Sequence, residues 1–116
     1  DPAHVRIGAH VQCGPNVCIV TAGHPVHFES RNSGYEYGIS VSIGDNVWLG
    51  ANCVVNPGVS IGDNSVIGAG AVVTRNIPAN VIAVGVPCRV LRKITDKDRA
   101  CYFKDRVFDV ADVNEN

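Results

Sequence analysis

Within residues 21–38, TAGHPVHFESRNSGYEYG, two histidines stand three positions apart, His24 and His27, in the company of Glu29, Arg31, Glu36 and two tyrosines. Imidazole titrates near neutral pH, so a histidine held in place can take a proton from a hydroxyl and return one to a leaving group. A carboxylate can hold such a ring in one orientation, and Glu36 is the candidate; a solvated loop glutamate fits it equally well. His24 precedes Pro25 and can also serve only to cap a turn, so the residue types alone leave its role open. His27 reads as an ordinary surface residue. A second group of charged residues follows Val86: Arg89, Arg92, Lys93, Lys97, Arg99, Lys104 and Arg106 make the C-terminal quarter a local source of positive charge.

The chain of 116 residues has one domain's length, and a fold this small buries only about two thirds of its surface, so a partner can supply part of its core. Ten Lys plus Arg against eleven Asp plus Glu give a net charge of −1, which argues against a nucleic-acid or membrane-surface protein. Five cysteines, odd in number, irregularly spaced and without a CxxC pair, are expected reduced and buried, as in a cytoplasmic protein. No apolar run approaches the roughly 20 residues of a spanning helix, and no leader with a cleavage site begins the chain. It opens mid-pattern and without Met, at DPAHVRIG, as a processed chain or a fragment missing an N-terminal segment would.

The elements that position these groups follow from a period of six. Aliphatic or similar residues recur at Ile7, Cys13 and Ile19, then at Ile43, Leu49, Val55, Ile61, Ile67 and Val73. Six is no helical period, but it is even, so alternate residues of a short strand share one face. A second inward position falls at the fifth place of each unit: Val11, Val17, Val47, Cys53, Val59, Ser65, Ala71 and Ile77. The corners between strands carry Gly-Asp-Asn (44–46, 62–64), Gly-Ala-Asn (50–52), Asn-Pro-Gly (56–58) and Gly-Ala-Gly (68–70), which tolerate the positive φ of tight turns. Such hexapeptide repeats predict an all-β parallel β-helix with three strands and eighteen residues per coil, Ile43 under Ile61 and Leu49 under Ile67. A sandwich would space its strands every 8–12 residues instead. Ile19 and Ile43 lie four units apart, so the loop at about 22–38 leaves and rejoins the helix in phase. The predicted organisation is a β-helix domain over 1–94 carrying that loop, and a C-terminal extension over 95–116 that forms a short helix or an arm.

From Val5 to Phe103 the chain resembles the hexapeptide-repeat sugar O-acetyltransferases, the maltose and galactoside acetyltransferases with their nodulation-protein relatives. The resemblance rests on TAGHPVHFESRNSGYEYG followed by IGDNVWLGANCVVNPGVSIGDNSVIGAGAVVTRNIPANVIAVGVPCRVLRKI. RNSGYEYG is nearer the maltose type, GHPVH and ITDKDRACYFKD nearer the galactoside type. The resemblance implies a left-handed β-helix, a homotrimer with active sites between subunits, and acetyl-CoA as cosubstrate, with no metal. In the [ST]-x-x-H-P motif of that family the histidine is the catalytic base, which is Thr21-x-x-His24-Pro25 here. A direct transfer from thioester to hydroxyl then needs no Cys or Ser nucleophile.

The resemblance places cofactor contacts on Ala51, Ala69, Thr74, Arg75, Arg89 and Arg92. Ala51 stands where serine is common, so a backbone N–H contact survives there and a hydroxyl contact does not; that N–H could polarise the thioester carbonyl. Arg75 stands where Lys is frequent. Trp48 holds the sixth, outward place of its unit, and a trimer contact or a wall of the acceptor or cofactor slot would cover it. Lys97, Arg99, Lys104 and Arg106 interleave with Asp96, Asp98 and Asp105 as a solvated face does. VGVPCR (84–89) resembles the turn by which the chain leaves the β-helix. That family's N-terminal segment builds much of its sugar site, so without it the acceptor pocket is incomplete or the acceptor is another one. The competing readings are an acyltransferase with a non-sugar acceptor and a truncated, non-catalytic trimeric β-helix that binds CoA. A zinc enzyme of the γ-carbonic anhydrase kind shares the fold, but histidines at 4, 10, 24 and 27 lack its spacing.

Overall fold

The computed structural model describes residues 3–108. The chain winds as a three-faced prism. One face stacks β1 (Val5–Ile7), β6 (Val41–Ile43) and β9 (Ser60–Ile61). The second stacks β2 (Gln12–Cys13), β7 (Trp48–Leu49), β10 (Val66–Ile67) and β12 (Val81–Val84), and the third β3 (Cys18–Ile19), β8 (Val54–Val55) and β11 (Val72–Val73). All of these pairings are parallel, and the predicted register holds: Ile43 pairs with Ile61 and Leu49 with Ile67. The first coil pairs thirty-six residues on, Ile7 with Ile43 and Ile19 with Val55, so the loop consumes one coil's worth of chain and returns in phase.

Val41, Leu49, Cys53, Val55, Ile67, Ala71 and Val73 have no exposed surface, and each Val, Leu or Ile so buried contributes about 1.5–3 kcal/mol. The corners obey the chemistry read from their residues. Asn46, Asn52, Gly58, Asn64 and Gly70 all take positive φ, and so do His10, Asn16 and Asn80. At the corner between the first and second faces, Asn46 Nδ2 donates to Asn64 Oδ1 at 2.9 Å and Asn64 Nδ2 to Asn80 Oδ1 at 2.8 Å. Beside them, Asp45 Oδ1 accepts from the Ala9 N–H at 2.8 Å, and Asp63 Oδ1 from the Asp45 N–H at 2.7 Å. Each of these corners is thus tied to the next by side chain as well as by ladder.

Two expectations need correction. Ile77 bridges Ile61, so it holds an anchor position and not a fifth place. The last coil is two residues short, Val66 pairing with Ile82 sixteen residues on, and the saving falls in the corner after Val73. Ser65, the fully buried polar residue beneath this coil, accommodates the change: its Oγ donates to the Pro78 carbonyl at 2.7 Å and accepts from the Val81 N–H at 3.1 Å. Second, of the five free cysteines only Cys53 and Cys88 are buried; Cys13, at an inward place, is exposed because among the described residues nothing stacks beneath the first coil, which also leaves Ile7 open, and Cys18 is exposed because it holds the sixth, outward place of its unit. Burial first, then the neighbouring Cys13 and Cys88, pushes the Cys53 thiol up. The tail, expected as a short helix or an arm, forms both: β13 (Arg89–Lys93) runs antiparallel on β12, followed by a 3-10 turn (Asp96–Arg99) and a hairpin of β14 (Cys101–Phe103) and β15 (Arg106–Val107). The extension predicted over 95–116 lies outside the described residues from 109 onward.

Val at position 65 would match the repeat better than serine. Ser65→Val is nevertheless expected to lower stability by about 1–3 kcal/mol, because it strands the buried Val81 N–H and takes a donor from the Pro78 carbonyl. Denaturant unfolding would check this, and an unchanged midpoint would show those two bonds contribute nothing.

Candidate functional site

The loop at 22–38 is a built structure. β4 (Ala22–Gly23) pairs antiparallel with β5 (Tyr37–Gly38), and a five-residue helix, α1 (Phe28–Asn32), forms the tip. Its root is tied down where the Ile39 N–H donates to the Thr21 carbonyl at 2.8 Å and the Gly58 N–H to the Ile39 carbonyl at 3.3 Å. The Tyr37 hydroxyl lies in the space a side chain at position 23 would fill, so glycine lets the ring cross the strand just before His24. Beyond His24, Arg31 Nη1 donates to the carbonyls of Val26 at 2.9 Å and Pro25 at 3.4 Å. His24 is therefore held from both sides while its own side chain stays exposed.

Ala22 pairs with Gly38 and Gly23 with Tyr37, so the next residue across from His24 in that register is Glu36. Among the described residues no hydrogen bond joins the two side chains. His27 caps the loop's helix. Its Nδ1 accepts from the Glu29 N–H at 3.1 Å at the start of α1, and its ring stacks on Phe28. The sequence singles out neither Tyr37 nor Arg31; a tyrosine pairing with glycine across two short strands leaves no pattern to read.

The remaining candidates divide between one face and two corners. Gln12, Trp48, Val66, Ile82 and Arg92 are in register as one outward column of the second face. The C-terminal arm stands beside it, and Trp48, Val66, Ile82, Arg92, Tyr102 and Phe103 line a cavity of about 390 Å³. Trp48, 55% exposed, is thus a groove wall within one chain. Ala51 and Ala69 stack at the corner after this face, where the Gly70 N–H donates to the Ala51 carbonyl at 2.8 Å. The backbone there is so close that a Cβ on Gly50 would lie 2.6 Å from the Ala69 nitrogen. Among the described residues neither the Ala51 nor the Ala69 N–H donates a hydrogen bond, which leaves both as donors for a ligand. Arg89 pairs with Val84 at the same end of the prism, and its Nη1 donates to the Cys88 carbonyl at 3.0 Å. Thr74 and Arg75, both exposed, sit at the following corner, in the column from which the His24 loop emerges. The third face separates His24, Thr74 and Arg75 from Trp48 and Arg92.

Arg92 is not a free cation. Its Nη2 donates to Asp98 Oδ1 at 2.8 Å and its Nη1 to Asp98 Oδ2 at 3.0 Å, with a further 3.0 Å bond from Nη1 to the Lys93 carbonyl. Asp98 also accepts from the Thr95 N–H at 2.9 Å. Charge alternation alone puts Asp98 on a solvated face with Asp96; the signal that distinguishes it is Thr95-x-x-Asp98, the capping-box spacing. The other tail charges behave as a solvated face: Arg99 and Asp96 meet at 3.3 Å in the open, and Lys104 and Arg106 lie over the Phe103 ring. Among the described residues no three His, Cys, Asp or Glu side chains gather as a metal site requires, and no helix is long and apolar enough to cross a membrane.

Residues 32–75 match the family described as the hexapeptide repeat of succinyl-transferase. The galactoside O-acetyltransferase of Escherichia coli K12 is 56% identical over 105 residues, 90% of this chain and 52% of that protein. A solved galactoside acetyltransferase in complex with coenzyme A superposes with a TM-score of 0.88 at 55% identity, over 90% of this chain and 52% of that one. A maltose O-acetyltransferase from Clostridium difficile 630 gives 0.77 at 56% identity, over 79% and 49%. The chain spans about half the length of the curated relatives it matches.

The fork of Arg92, and after it the Thr95 N–H, holds the Asp98 carboxyl down to about 2 from an ordinary 3.8. A depressed carboxylate contributes stability that is present above its unfolded value and lost as pH falls through its folded one. The arm is therefore expected to keep this anchor down to pH about 4 and to lose it by about 2. Carboxyl NMR would check it: Asp98 should titrate about two units low, and Arg92→Ala should return it towards 3.8.

Proposed function

We propose that, over the residues it shares with them, the chain belongs to the hexapeptide-repeat sugar O-acetyltransferase family and that it moves an acetyl group from acetyl-CoA to a hydroxyl of a sugar or related small acceptor, with His24 as general base. The fold is the left-handed parallel β-helix, the hand that a period of six leaves open. The observation that carries the proposal is the mounting of His24. Tyr37 on one side and Arg31 on the other fix a loop whose exposed imidazole is committed to no partner among the described residues.

In the proposed reaction the acceptor hydroxyl binds against His24, which takes its proton as the oxygen attacks the thioester carbonyl. The tetrahedral oxyanion gathers negative charge at a backbone N–H, for which Ala51 is the candidate; a donor aimed there contributes about 3 kcal/mol. Collapse expels the CoA thiolate, and the imidazolium returns the proton to sulfur, so the base is regenerated without an acyl-enzyme. Glu36, across from His24 in the β4/β5 register, is the carboxylate that would favour the imidazolium. The cosubstrate would run along the Trp48 column, its thioester end near Ala51 and Ala69 and its phosphates towards Arg89 and Arg92, with Thr74 and Arg75 at the neighbouring corner. The repeat region to residue 94 supplies these groups and the extension from 95 the outer wall.

One chain keeps His24 a full face away from the Trp48 column. A homotrimer of prisms standing side by side would bring the loop of one subunit to the groove of its neighbour, so we take the active site to lie between subunits of a cytoplasmic trimer.

Release of CoA from acetyl-CoA against a panel of sugars, with His24→Ala beside the parent, is the direct test. A loss of at least about 100-fold is expected, the scale of a removed general base; equal rates would sink the assignment. Arg89→Ala should weaken acetyl-CoA binding measured without acceptor, and unchanged binding would remove Arg89 from the cofactor site.

A further inference from the structure

The guanidinium of Arg92 offers five N–H donors. Three are used: one each from Nη1 and Nη2 to the two oxygens of Asp98, and the second of Nη1 to the Lys93 carbonyl. The two left are Nε–H and the second N–H of Nη2. These are adjacent, and together they form the side edge of the plane, a second fork with the spacing to grip two oxygens of a phosphate. Among the described residues that edge has no partner.

Asp98 is itself held. Its Oδ2 accepts from the Thr95 N–H at the start of the 3-10 turn, so swinging it off Arg92 would unseat the turn that leads into the β14–β15 hairpin. The pair lines the cavity between the Trp48 column and that hairpin, with half of the Arg92 side chain exposed. An arginine alone in that place would rotate about four side-chain torsions, and every phosphate contact would have to stop that motion.

We infer that Asp98 is a positioning residue of the cofactor site: it locks the end edge of Arg92 so that the side edge is presented, already oriented, to a phosphate group of the cosubstrate. The inference rests on the acetyl-CoA reading above and adds a residue that touches no ligand atom. Asp98 acts through Arg92, so its effect must vanish when Arg92 is gone and must spare the parts of the cosubstrate that carry no phosphate.

Both requirements can be measured by calorimetric titration of the full chain, with acetyl-CoA and in parallel with S-acetylpantetheine, which lacks phosphate. Asp98→Asn is expected to weaken acetyl-CoA by about 10-fold, the scale on which a partner supporting a binding group acts, and to leave S-acetylpantetheine unchanged. In an Arg92→Ala background the same change should add no further loss. Asp96→Asn, which breaks only the open pair with Arg99, should leave both ligands unaffected. Equal or tighter acetyl-CoA binding in Asp98→Asn would overturn the inference, since Asp98 would then be idle or a competitor for the guanidinium. So would an equal loss for S-acetylpantetheine, the mark of a merely structural role. If Asp98→Asn loses its melting transition, Asp98→Glu carries the test, keeping the charge but displacing it by one methylene, with the same direction expected. Failure of the parent to bind acetyl-CoA would instead overturn the functional reading and the role of Asp98 with it.

Discussion

Everything in this molecule depends on one condition: each coil must present its N–H and C=O groups in the positions where the coil above needs them. A residue contributes to that pairing only if the chain turns through a third of a circuit at a fixed interval. The corners enforce the interval, since at nearly every one a residue with positive φ reverses the path within a few atoms. Asparagine is well suited to that place. It tolerates the conformation, and its amide can both donate and accept, so Asn46, Asn64 and Asn80 form a side-chain ladder parallel to the backbone ladder. The core is a result of this stacking: once the corners are in register, inward side chains superpose and water is excluded between them.

The same condition explains why a long polar side chain such as His24 is carried where the coils are interrupted, while the regular coils offer backbone N–H groups and one outward column of side chains. A six-residue unit commits its side chains to interior, corner and exposed face. The loop at 22–38 escapes that commitment because it takes up one whole coil of chain and rejoins in phase. Its own stability is local, from a two-residue ladder, a tyrosine over glycine and an arginine on two carbonyls. That is enough to hold one imidazole in a fixed place.

Much of this is legible in the residues, for a physical reason. Period, corner composition and in-phase loop are all one-dimensional signals, and a solenoid is close to a one-dimensional object. Ile43 under Ile61 and Leu49 under Ile67 follow from counting. What counting misses is where the count changes. The short coil requires Ser65 to be understood as a hydrogen-bond partner, whereas its place in the repeat marks only an inward small residue; counting puts Ile77 in the wrong place for the same reason. Cys13 is expected in the interior because its position is inward, and an inward position on a terminal coil is still open to water. The tail is harder still. Its contacts join Arg92 to Asp98 across a turn, and alternating charge at that spacing looks the same whether the pair is solvated or fixed. The role of His24 comes from a resemblance; residue types alone leave it undecided.

The reversal at β13 has a consequence for how copies of this chain can meet. A parallel strand added to β12 would begin another coil, and its upper edge would invite one more, by the logic that joins β-helices end to end into fibres. β13 runs the other way, so a coil of a second copy laid on it in the same direction as β12 would have to pair antiparallel, unlike the parallel junctions between the coils themselves. The arm then crosses back over the outer surface, and among the described residues the stack goes no further. The place that a further parallel coil would take on β12 is thus filled by the chain itself.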